Sequence, residues 1–127
     1  MSLHDQPHLP TLAPIDSYGN GGFRFGDMSH RGSLLCLPAG MWAWAARSPA
    51  EIDEAALAPV FEAAGDVDIL IIGTGTSPWL LPAPLRAKLW DAGVSGLEVL
   101  QTGPAVRTYN IVLGERRRLA AALIAVD

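Results

Sequence analysis

Val67-Asp-Ile-Leu-Ile-Ile-Gly-Thr-Gly75 is a nearly unbroken apolar run, rich in β-branched residues and closed by glycine. Such a run fits a central strand buried on both faces, as parallel strands of α/β proteins are. Downstream, Leu97-Glu-Val-Leu-Gln101 is again followed by Thr102-Gly103, and a helical pattern lies between the two. Strand, helix, strand in that order is a βαβ unit, and Leu119-Ala-Ala-Ala-Leu-Ile-Ala-Val126 adds a third apolar strand after a second helix. The back half therefore reads as a parallel βαβαβ unit. Right-handed crossovers lead us to expect its helices on one face of the sheet.

Those helices carry their own punctuation. Pro84 can open the first, which runs through Leu85, Leu89 and Trp90 to Gly93. Thr102-Gly103-Pro104 has the form of a cap for the second, with Ala105, Val106, Tyr109, Val112 and Leu113 at helical spacing on one face. Arg107 and Ile111 fall on the opposite side of that wheel, with Thr108 and Asn110 at the boundaries.

Working back toward the start, Ser48-Pro49-Ala50-Glu51 has the form of a helix start, with glutamate placed to return the cap's hydrogen bond. Pro59 should break the segment that follows, so that a second helical piece begins near Ala58. Leu57, Val60, Phe61 and Ala64 give that segment a core face. Before it, Ile15 to Tyr18 and Phe23 to Phe25 flank Gly19-Asn-Gly-Gly22, where Asn-Gly supplies the positive φ of a tight hairpin. Ser33 to Leu37 and Met41 to Trp44 complete what reads as an antiparallel layer. Residues 1–14, polar and punctuated by proline, read as a flexible arm, and residues 15–127 as a single three-layer α/β domain.

The chain has 127 residues and a net charge of -4, with a pI near 5.2. Nucleic acid and anionic membranes require clustered positive charge, and the only basic run is Arg116-Arg-Arg118, so neither is expected as a partner. No run approaches the ~20 apolar residues of a membrane span, and residues 1–14 lack the apolar core of a secretory signal. The lone Cys36 lies inside an apolar strand and reads as a small core residue. A cytoplasmic protein is the expectation; oligomeric state is not legible.

Chemistry is sparse. His30 has no histidine or cysteine at ligand spacing, so neither metal nor cofactor is expected. No Gly-x-Ser-x-Gly elbow occurs, and Asp27 with His30 reads as part of a surface hairpin rather than an acid and base. Gly73-Thr-Gly-Thr-Ser-Pro78 ends in proline where a dinucleotide loop would have glycine. Two features remain. If the parallel unit is right, the Gly73-Thr74-Gly75 and Thr102-Gly103 loops emerge side by side, where open α/β sheets bind ligands, and Arg107 in the adjoining first helical turn could attract a small anion. Trp79-Leu80-Leu81, in a proline-rich loop, either covers the core or faces a partner.

Phe23-Arg-Phe-Gly-Asp27, His30-Arg-Gly-Ser33, the strand into Gly73-Thr-Gly75, and Thr102-Gly103 with Arg107-Thr-Tyr-Asn110 together resemble the small family that includes mitochondrial respiratory complex I assembly factor three and short bacterial and archaeal proteins. The resemblance covers about Ile15 to Val126. It implies a three-layer α/β domain with β-hairpin additions, a protein partner such as a respiratory complex subunit, and a role in assembly rather than catalysis. It maps the family's signature onto Gly73, Thr74, Gly75, Arg107, Thr108, Tyr109 and Asn110. The alternative is a small-molecule binder or enzyme that uses the crevice between the two loops.

Overall fold

The computed structural model describes residues 7–127. A five-stranded sheet runs β5-β4-β8-β6-β7, comprising β4 (Ser33–Leu37), β5 (Gly40–Trp44), β6 (Ile69–Gly73), β7 (Gly96–Leu100) and β8 (Leu119–Leu123). β6 pairs in parallel with both β7 and β8, while β4 joins β8 antiparallel. Ile69 to Ile72 are all buried, as a strand covered on both faces must be.

The helices do not share one face. α2 (Ala83–Asp91) sets Leu85 and Leu89 against Leu70, Ile72, Ala120 and Ala122, whereas α3 (Thr102–Gly114) sets Ala105, Val106, Tyr109 and Val112 against Ile69, Ile71, Leu119 and Ala121. Side chains of opposite parity along β6 meet different helices. The reason is strand order: the chain steps from β6 to β7 on one side, then returns past β6 to β8 on the other. Two right-handed crossovers running in opposite directions place their helices on opposite faces.

The front third is also divided. β1 (Ile15–Gly19), β2 (Gly22–Phe25) and β3 (Met28–Arg31) form a separate antiparallel sheet that packs Ile15, Phe23 and Phe25 on the α3 side. β4 and β5 instead extend the main sheet. Every residue of β4 is buried, so it needs cover on both faces, which an outer layer cannot provide. The β1–β2 hairpin turns through Asn20 and Gly21, both at positive φ, as the Asn-Gly pair predicts. On the α2 side, α1 (Ala58–Glu62) begins beside Pro59 and buries Val60. Pro49–Glu51 forms only a 3-10 turn, in which the Glu51 carboxylate accepts the Ser48 NH at 3.2 Å.

Part of the segment expected as an arm lies on the domain. The His8 NH donates to the Met41 carbonyl at 2.8 Å and the Met41 NH to the Leu9 carbonyl at 3.1 Å, extending the sheet beyond β5. Gly40 permits this approach, since a Cβ there would lie 2.4 Å from the Leu9 carbonyl oxygen. Residues 1–6 lie outside the described residues.

Candidate functional site

The carboxyl ends of β6, β7 and β8 converge on Thr102. Its hydroxyl accepts the Gly75 NH at 2.9 Å and donates to the Ile124 carbonyl at 2.7 Å, while its own NH donates to the Gly75 carbonyl at 3.0 Å. The side chain expected to cap α3 thus ties together two neighbouring loops, and Gln101 occupies the cap position without a side-chain bond. Thr74 is held in the same way, its NH by the Leu100 carbonyl and its hydroxyl by Ser77. Gly73 lets these segments meet, because a Cβ would lie 3.0 Å from the Thr102 hydroxyl. Gly75 has φ +89, a conformation open to glycine.

This arrangement differs from an open crevice between two Thr-Gly loops. The amides of Thr74, Gly75 and Thr102 already have protein acceptors, and Pro104 has none to offer. Gly103 keeps its NH, but the Tyr18 hydroxyl stands only 2.6 Å from where its Cβ would be. Arg107 is exposed on the outer face of α3 and lines neither hollow at this end of the sheet.

Tyr109 and Asn110 point elsewhere. The Tyr109 hydroxyl donates to the Ala13 carbonyl at 2.8 Å, and Asn110 clamps Ile15 in both directions, accepting its NH and donating to its carbonyl at 2.9 Å each. They fasten the start of β1 to α3. Thr108 lies between them and Arg107, half-buried. Cys36 also belongs to this core: burial pushes its thiol up to about 12, although a hydrogen bond with Tyr109 opposes the shift, and Tyr109 is itself raised by burial. A protonated, enclosed thiol is no nucleophile. His30 bonds the Ser33 carbonyl at 2.9 Å and lies against His8, with ring centroids 4.7 Å apart and the rings tilted by 47°.

Beside the closed loops lies an apolar groove of about 590 Å³, lined by Thr74, Pro78, Trp79 and Leu80 on one side and by Val99, Leu100, Gln101 and Pro104 on the other. Trp79 and Leu81 pack on the core, but Leu80 is 90% exposed. The apolar loop therefore both covers the core and presents a side chain to solvent. The contribution of β7, Gln101 and Pro104 to the groove was not read from sequence, because it depends on β7 being the outermost strand.

A family match spans residues 15–124 and is described as a protein of unknown function (DUF498/DUF598). The chain belongs to the DUF498/DUF598 family. An uncharacterized member from Rhodobacter capsulatus is 38% identical over 119 residues, covering 94% of this chain and 90% of that protein. NADH dehydrogenase (ubiquinone) 1 alpha subcomplex assembly factor 3 of Danio rerio is 30% identical over 110 residues, which cover 87% of this chain but 63% of the assembly factor. Among solved structures, a Rhodopseudomonas palustris protein superposes with a TM-score of 0.84 at 53% identity, over 96% of this chain and 90% of that one. A Bartonella henselae protein described as an outer membrane protein gives 0.83 at 44% identity, over 94% and 100%. In this DUF498/DUF598 chain no helix among the described residues is long and apolar enough to cross a membrane.

Proposed function

We propose that this chain is a non-catalytic binding protein that assists assembly of a membrane respiratory enzyme from the cytoplasmic side, holding a protein subunit in the groove between Trp79-Leu80 and β7. The observation that carries the reading is that groove. At the sheet position where α/β proteins take ligands, the amides of Thr74, Gly75 and Thr102 are satisfied internally and the groove beside them is mostly apolar, which suits a protein side chain better than a small anion. Kinship with assembly factor 3 supports the choice of partner. In this reading Gly73, Gly75 and Thr102 hold the groove's floor in shape, and Thr74 lines it.

The test is affinity purification of the tagged chain from its own host, with bound proteins identified by mass spectrometry, alongside Leu80→Glu. Leu80 supports no core contact, so the variant should fold. Subunits of a respiratory enzyme should accompany the parent chain and be depleted about tenfold or more with the variant, as loss of a central apolar anchor predicts. Equal recovery of those subunits with both chains, or their absence from both, would contradict the proposal.

A further inference from the structure

The outer face of the three-stranded sheet carries a separate hollow, of about 410 Å³, away from the apolar groove. Its side chains follow from strand alternation. Phe23 and Phe25 turn inward to the core, so Arg24 between them turns out. Register then sets Ser17 and Ser29 on either side of Arg24, with Arg31 diagonal to it across β3. Gly22 opposite Arg31 must be glycine, since a Cβ would lie 2.1 Å from the His30 carbonyl oxygen, and its lack of a side chain leaves the floor of the hollow open. The Arg24 Nη1 donates to Ser29 Oγ at 2.9 Å, which fixes one edge of the guanidinium and leaves the other donors directed outward.

We propose that this hollow binds a single oxyanion group, a carboxylate or a phosphate. The guanidiniums of Arg24 and Arg31 and the hydroxyls of Ser17, Tyr18 and Ser29 line it, and no acidic residue does. Neither arginine has a carboxylate partner among the described residues, while Arg118 and Lys88 elsewhere do. The same sheet also carries Asp16, and its β2–β3 turn Asp27, but neither lines the hollow, so the positive charge there is local to Arg24 and Arg31. Guanidinium forks match planar or tetrahedral oxyanions with paired hydrogen bonds. Tyr18 and Asn20 close the end of the hollow nearest the carboxyl ends of β6 and β8, where the Gly21 NH bonds the Val126 carbonyl at 2.8 Å. The site is independent of the apolar groove.

The experiment is an NMR titration of the whole chain with inorganic phosphate and, separately, with a tetraglutamate peptide, each against sodium chloride at matched ionic strength. Saturable shifts confined to Ser17, Arg24, Ser29 and Arg31 are expected. Arg24→Gln and Arg31→Gln should each weaken binding about tenfold, the worth of one charge-assisted hydrogen bond, whereas Arg107→Gln should not. Saturation by phosphate alone assigns a small anion, and tighter saturation by the peptide assigns an acidic protein segment. Shifts that do not saturate, that sodium chloride reproduces, or that spread equally over Arg107 and Arg116 to Arg118 would overturn the proposal. Both arginines are exposed, so the glutamine variants should keep the parent melting temperature.

Discussion

Thr102 is where residue chemistry and site architecture meet. A threonine before glycine at a helix start reads as a cap, because the local alternative is the helix's own NH groups. Its hydroxyl instead reaches a neighbouring loop and the end of β8, partners distant in sequence that no local pattern reveals. Thr102→Val keeps the shape but leaves the Gly75 NH and the Ile124 carbonyl unpaired. Each buried group left without a partner should cost about 1 to 3 kcal/mol, read as a lower urea midpoint at unchanged slope. Thr102→Ser should recover most of the loss. If Thr102→Val were as stable as the parent chain, Thr102 would not be the tie between the loops. The same limit on local reading explains Tyr109 and Asn110. Their place on α3 is legible from periodicity, but their partners at Ala13 and Ile15 are not.

At the scale of elements, docking of residues 7–14 escaped a reading based on proline content and lack of periodicity. The cue lies in the receiving strand, where Gly40 admits the Leu9 backbone. A pH dependence follows. His8 is held below its ordinary value by burial and by the charge of His30. The docked state therefore binds fewer protons than the undocked one. Its stability is complete above the ordinary histidine value of about 6.5 and falls as pH descends through it. Hydrogen exchange at the Met41 amide, corrected for intrinsic rate, should thus be faster at about pH 5.5 than at about pH 7.5. His8→Gln should abolish the difference. Exchange that is equally protected at both values in the parent chain would contradict this origin.

For the molecule as a whole, the parallel unit was legible because Ile69 to Ile72 are apolar on both faces and glycine closes the strand. The distribution of helices was not, because it depends on β8 lying on the far side of β6 from β7, and strand order leaves no mark in hydrophobic periodicity. That same order makes β7 an edge, which places Val99 and Leu100 beside Trp79 and Leu80 and so creates the groove. Leu80 and Ile111 are both large, apolar and exposed, but only Leu80 borders it. Photo-crosslinking in the native host, with the reactive residue at position 80 in one chain and at position 111 in another, tests directly whether the groove holds the partner. Crosslinks from position 80 to subunits of a membrane respiratory enzyme are expected, and none of these from position 111. The same adducts from both positions, or no such subunit from position 80, would contradict docking in the groove.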